Sequence, residues 1–348
     1  MKMYLKILKD EKNYILRLSF YGAAAGFIYS FLENYLKGTS LLPLMLRATV
    51  LSFLLLGSLG LFDLLSMNYL RKRSFFHILG IKSVIYLSIV AFWLLLINGI
   101  NEAVNNNVSF FQGMVIYFKY SGMVAKNMAV IIFIIILINA LVQINSLHRK
   151  GELVSFILGR YRRPIEKSRI FLFIDLKSST TIAEKLGHIK FGLFLQEYYF
   201  DMAKAVRISN GEIYDYIGDE AIISWPTDKQ DSLKNCLKCV DQIRAILESG
   251  KDRYLNNYGT SPGFRAGAHG GKSVVMWVGE DRKEILYLGD VLNTAKRIQT
   301  ECNRFSTDFL ISGDLIKSFP DLKGFKFLFM DKLLLKGKEQ EVELYAVE

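Results

Sequence analysis

Cysteine is scarce: the 348 residues hold three, an odd number that supplies no disulfide framework. Two of them, Cys236 and Cys239, form a CxxC, yet no second pair and no histidine lies at metal-ligand spacing. The surrounding run DSLKNCLKCVDQIRAIL has apolar residues at helical intervals, which predicts an amphipathic helix with buried, unreactive thiols. A GxxxxGK[ST] phosphate loop is also missing, which excludes an ordinary NTPase site. So is a single basic patch. The formal net charge is +11, but many of the basic residues flank apolar runs: Lys2, Lys6 and Lys9; Arg71, Lys72 and Arg73; Arg149, Lys150, Arg160, Arg162 and Arg163. That placement is the positive-inside bias of a membrane protein, and no nucleic-acid partner is expected.

What is plentiful is apolar length. Hydrophobic residues make up 51% of the chain and charged residues 22%, a mixture that fits one membrane part and one ordinary charged domain. Four apolar stretches precede residue 150, at about 15–35, 44–67, 84–100 and 128–144. Each is near the ~20 residues that cross a bilayer as a helix. The last two hold no charge, whereas Arg17, Glu33, Arg47 and Asp63 interrupt or flank the first two. Charged side chains near a span's end can reach the interface, and Arg47 and Asp63 are candidates to pair. Arg17 breaks the core of any signal peptide. The N-terminus and segment 68–82 are basic, and NEAVNNNVSFFQG is neutral to acidic. This asymmetry predicts a multi-pass, four-span protein of the inner or plasma membrane, with both termini and the C-terminal half cytoplasmic. Residues 1–145 are therefore expected to form a helical anchor or sensor. Residues 146–168 form a basic connector, which would continue the fourth span as a helix until Pro164 ends it. Such a connector could dimerise.

At Ile170 the sequence changes character. IFLFIDL is predicted to be a buried strand ending at Asp175, and KSSTTIAEKLG a helix with Ser and Thr at its start. A carboxylate delivered beside a helix N-terminus makes a place for a cation and a phosphate. GEIYDYIGDEAIISWP reads as a hairpin turning at Gly218-Asp219. If the two elements are neighbours in one sheet, Asp175 and Asp219 converge as carboxylate ligands for hard divalent cations. In YLGDVLNTAKRIQ, Asn293 and Arg297 are four apart and share a helix face, suited to grip a ribose and a phosphate. FRAGAHGGK puts Arg265 on a strand before a glycine-rich turn, and LLLKGKEQEVELYAVE reads as a terminal hairpin bearing Lys336 and Lys338.

In this order and spacing, FIDLKSST, IGDE, GDVLNTAKR and LKGKEQEVELY resemble the class III adenylate and guanylate cyclase homology domain, over about residues 169–348. The resemblance implies an α+β, ferredoxin-like domain that works as a homodimer with composite sites. It implies conversion of a nucleoside triphosphate to the 3′,5′-cyclic monophosphate and pyrophosphate, with two Mg²⁺ (or Mn²⁺) at each site. Position by position, Asp175 and Asp219 would bind metal together with the backbone at Leu176. Ser178, Ser179 and Thr180 would line the triphosphate loop, and Asn293 and Arg297 would orient the ribose and stabilise the transition state. Lys336 would hold the terminal phosphates and Arg265 would support them. The base-contacting pair falls on Asp215 and Leu286, which depart from the family's usual Lys with Asp or Thr. ATP is expected on the family's base rate. GTP is the alternative, because Asp215 can accept from guanine's N–H groups. A catalytically inactive nucleotide-binding membrane receptor is a further alternative, opposed by the presence of both aspartates and of the Asn/Arg pair.

Overall fold

The computed structural model describes residues 15–16, 18–28, 30–31, 41–70, 74–120, 132–133, 135–144, 152–280, 283–319, 322, 324–335 and 340–347. Arg17, Glu33, Lys336, Lys338, the side chain of Arg47 and the junction 145–151 lie outside them. The chain divides into two compact units, Met1–Leu147 and His148–Glu348.

In the first unit a helix spans Leu41–Leu70 and another Phe75–Asn106. Among the described residues only Phe75–Asn106 is long and apolar enough to cross a membrane; Leu18–Ile28, Ala48–Asp63 and Ile135–Ile144 are shorter apolar helices. The expected set of four spans is thus matched by one helix of sufficient length. That helix starts at Phe75, so His77 and Lys82 belong to it and not to a basic loop. Asp63 does have a cationic partner, but it is Lys82, at 2.6 Å, with the Tyr86 hydroxyl also donating to it at 2.6 Å. The polar stretch after residue 100 holds an unforeseen helix, Phe110–Tyr120. It folds back so closely that a Cβ on Gly113 would lie 2.4 Å from the Gly99 carbonyl oxygen.

The second unit is built on one eight-stranded sheet. Its strands are β1 Ile165–Leu176, β2 Glu212–Ile217, β3 Glu220–Pro226, β4 Phe264–Val278, β5 Glu284–Leu288, β6 Phe309–Ser312, β7 Phe327–Leu333 and β8 Val342–Val347. Its helices are α1 Glu152–Ile157, α2 Ser179–Leu186, α3 His188–Ile208, α4 Ser232–Ser249, α5 Lys251–Tyr258, α6 Asp290–Glu301 and α7 Gly313–Lys317. The order is β2-β3-β1-β4-β6-β8-β7, with β5 paired to β4. The first four strands in that order, β2-β3-β1-β4, are each antiparallel to their neighbours and interleaved with helices, which is the ferredoxin-like arrangement expected.

Successive side chains on a strand point to opposite faces. On β1, Ile170, Leu172 and Ile174 are fully buried on one face. Phe171 and Phe173 pack on the other with Tyr214, Ile222, Val291 and Ala295, which places α6 over that face. Burial on both faces explains why this strand reads as a continuous apolar run. The connector helix α1 ends at Ile157, well before Pro164. The turn after it has Gly159 at φ 65° and Tyr161 at φ 64°. Trp277 holds this turn, its backbone N–H donating to Tyr161 O at 3.0 Å and its indole N–H to Arg160 O at 2.6 Å.

The glycines of FRAGAHGGK do not make a turn; β4 runs straight through them. Their reason is close approach. A Cβ on Gly267 would lie 2.2 Å from Gln299 N and 2.7 Å from Ala295 O, both backbone atoms of α6. Helix and strand meet there without room for a methyl group. Gly267→Ala should therefore destabilise the protein by about 1–3 kcal/mol or more, seen as a thermal midpoint lower by at least ~3 °C. An unchanged midpoint would show that α6 can lift off the strand without cost.

Candidate active site

The site is assembled at one end of β1. Asp175 is the penultimate residue of that strand, opposite Glu220 on β3 and Arg265 on β4. Its side chain shares the face of Phe171 and Phe173, under α6, by strand alternation. Asp219 lies in the two-residue turn between β2 and β3, where Gly218 takes a φ of 63° that an L side chain rarely adopts. The Tyr199 hydroxyl, from α3, fixes that turn by donating to Gly218 O at 2.8 Å and to Glu220 O at 3.3 Å. As a result Asp219 comes close enough to Asp175 for its charge to act on that carboxyl. The two aspartates expected to converge do so.

Burial pushes the Asp175 carboxyl above the ordinary carboxylate range, and the negative charge and hydrogen bond of Asp219 push it further. Lys296 and Arg265 oppose the shift. Two oxygen-rich carboxylates that share one site at the cost of mutual repulsion are a donor set that suits a hard divalent cation. The side chain of Leu176 is buried at 1% exposure, so only its backbone can contribute. Beyond it the chain turns through Ser178, which adopts a left-handed φ of 56° and precedes α2. Lys177 N–H donates to Gly263 O at 2.9 Å and anchors the turn to the start of β4. Ser179 and Thr180 occupy the first turn of α2, where backbone N–H groups are free of intrahelical partners and attract anions.

Asn293 and Arg297 share the face of α6 that is turned from the sheet. Val291, Thr294, Ala295, Ile298 and Gln299 form its buried side, and Asn293 is exposed. Arg297 Nη1 is buried without a hydrogen-bond partner among the described residues. A guanidinium nitrogen held this way has hydrogen-bonding capacity that its own chain leaves unused. Asp215 lies opposite Ile222 next to a bulge at Tyr214, and its Oδ1 accepts the Tyr216 backbone N–H at 2.9 Å. Leu286 pairs with Met276 in the β4–β5 hairpin. The structure joins these two positions through their neighbours: Tyr287 N–H donates to the Tyr214 hydroxyl at 3.3 Å, and the two rings lie 5.2 Å apart. Cys236 and Cys239 are fully buried on α4, and burial pushes the Cys239 thiol up to about 12. They are structural, as the spacing predicts.

Besides Lys296, three residues at the site were not foreseen. Glu220, next to Asp219, is buried and ion-paired with Lys296 of α6. Gln299 Nε2, also from α6, donates to Asp175 Oδ2 at 3.4 Å. Glu220 follows Asp219 within IGDE, and a buried-side glutamine on an amphipathic helix is a signal in itself. The third, Tyr199, could be found only once α3 was seen to cross the hairpin.

No protein-family model matches the chain. Adenylate cyclase 2 from Rhizobium meliloti (strain 1021) is 37% identical over 175 residues, covering 50% of this chain and 48% of that protein. An adenylate cyclase from Anabaena cylindrica is 24% identical over 187 residues, covering 51% and 36%. These relatives support the resemblance of the C-terminal half to the class III adenylate/guanylate cyclase family. A bacterial light-regulated adenylyl cyclase structure, 17% identical, superposes with a TM-score of 0.51 over 62% of this chain and 64% of that one, a likeness of fold. The chain spans about half or less of the length of the two sequence relatives named.

The charge at Asp175 makes a stability prediction with a definite sign. Its folded-state carboxyl holds a proton more tightly than the unfolded chain does. The domain therefore loses stability as pH rises from the ordinary carboxylate range through the raised value,. Asp175→Asn should raise the metal-free thermal midpoint at neutral pH by about 2 °C and flatten that part of the pH profile. A lower midpoint at neutral pH would contradict the like-charge account.

Proposed function

We propose that this protein is a membrane-anchored class III nucleotidyl cyclase that converts ATP to 3′,5′-cyclic AMP and pyrophosphate as a homodimer. The observation that carries the proposal is the convergence of Asp175 and Asp219 at one end of the sheet, on the same domain whose Asn293 and Arg297 face away from that sheet. Asp175, Asp219 and the Leu176 backbone would hold two Mg²⁺ or Mn²⁺. Divalent cations bound there lower the pKa of the ribose 3′-hydroxyl and neutralise the triphosphate.

The protein's own groups do the rest. The α2 N-terminus, from Ser178 to Thr180, receives phosphate oxygens with backbone N–H groups, and Arg265 adds charge from β4. Asn293 orients the ribose. Arg297 offers its unpartnered Nη1 to the charge that builds on the α-phosphoryl oxygens as the 3′-oxygen attacks and pyrophosphate leaves,. Lys336 holds the terminal phosphates. Because the Asn/Arg face of α6 is turned from its own sheet, it is suited to complete a partner's site, which favours two composite sites in a symmetric dimer. The adenylate cyclase names of the sequence relatives favour ATP. Asp215, an acceptor near the expected base position, is the observation that keeps GTP as a second substrate, since guanine N1–H is a donor and adenine N1 an acceptor.

The test is turnover of ATP and GTP by the full-length protein with Mn²⁺. ATP should be cyclised, and Asp175→Ala and Asp219→Ala should each fall to background. A mixture of Asp175→Ala with Arg297→Ala should regain part of the activity. Asp215→Lys should shift the ATP:GTP ratio toward ATP. Near-wild-type turnover by either aspartate variant would sink the proposal, and a failure of folded variants to complement would place each site within one chain.

The first unit is proposed as a four-span anchor that keeps both termini and the cyclase domain cytoplasmic. Among the described residues, one helix of spanning length and three shorter apolar helices support this, as does the basic flanking sequence. Reporter fusions after Asn107 should read as external and those after Lys150 as cytoplasmic. A cytoplasmic signal after Asn107 would overturn the arrangement.

A further inference from the structure

Helix α6 carries a second set of functional side chains. Asn293 and Arg297 face away from the sheet, whereas Lys296 and Gln299, nearly one turn apart, reach the carboxylates of their own chain. Gln299 steadies Asp175 through its 3.4 Å hydrogen bond. Lys296 donates to Glu220 Oε2, and its positive charge also acts on Asp175. The Glu220 side chain is 9% exposed and that of Lys296 44%. A glutamate buried to this degree requires a partner, and it keeps the ammonium from swinging into water as a long side chain otherwise would. Two neighbouring carboxylates, Asp175 and Glu220, therefore share one anchored lysine, with Asp219 beside them.

We infer that Lys296, held in place by Glu220, is a built-in competing cation that sets how tightly the Asp175–Asp219 site takes a divalent metal. The inference rests on the metal role proposed for those two aspartates. In the metal-free chain the lysine offsets part of the repulsion among the carboxylates, and when a divalent ion arrives the same charge opposes it. Lys296 is on this account a positioning residue. Its effect is exerted through the carboxylates.

The experiment is Mn²⁺ binding to the full-length protein without nucleotide, followed by the electron paramagnetic resonance of the free ion. Lys296→Met should tighten binding by about tenfold, the scale of one charge acting across a partly exposed site. Glu220→Gln should weaken it by a few-fold, because it removes a carboxylate and leaves the lysine free to pair with Asp175. The double variant should return to near the wild-type affinity, and Lys296→Arg should stay there. A purely structural role would weaken binding in both single variants. Unchanged or weaker binding by Lys296→Met overturns the inference, provided Asp175→Asn weakens binding in the parent chain. Binding that Asp175→Asn leaves intact removes the metal role itself, and the inference with it.

Discussion

Asp175 and Asp219 converge at the end of a buried strand, and the charges around them answer their repulsion. β1 is the axis of the sheet, so its last residues cannot move to relieve it. The hairpin that bears Asp219 is fixed by the Tyr199 hydroxyl across its turn. What remains is compensation from outside the pair: Arg265 from β4, and Lys296 and Gln299 from α6. The domain thus stores an unfavourable charge arrangement and surrounds it with partial answers, a pattern expected where a cation completes the balance.

Those answers depend on how closely α6 lies on the sheet. Gly267 is the point of contact, and its lack of a side chain lets the backbone of the helix rest on β4. From that position one helix can serve two directions. Its sheet-side residues reach the carboxylates of the same chain, while Asn293 and Arg297 are presented outward. In the proposed dimer, therefore, a displacement of α6 would be felt by the metal end of one site and the nucleotide end of the other.

The first unit follows a different solvent logic. Asp63, set among apolar helices, has a lysine and a tyrosine as partners, and the indole N–H of Trp93 donates to Ser58 Oγ at 3.0 Å. These polar groups are paired between helices, and glycines mark the close crossings, as at Gly99 and Gly113. In the proposed anchor, these would be the features by which helices associate where apolar burial alone does not distinguish neighbour from lipid.

Several elements were legible from sequence because the information is local. Strand β1 is a run of β-branched and aromatic residues, the β2–β3 turn is a Gly-Asp dipeptide, and the i, i+4 spacing of Asn293 and Arg297 follows from helix geometry alone. The buried cysteines of α4 follow from its amphipathic period. Other features needed the fold. The glycines of β4 look like a turn until α6 is seen lying on them. The connector helix stops at Ile157 and not at Pro164, where Trp277, more than a hundred residues away, claims the turn that follows. Asp63 pairs with Lys82 because two helices meet there. Glu220, Lys296 and Gln299 join the site only through register and helix placement. Sequence determines the chemistry each residue can perform and the period on which it repeats. Which charges come to face one another is decided by packing between segments distant in the chain, and no local pattern encodes that.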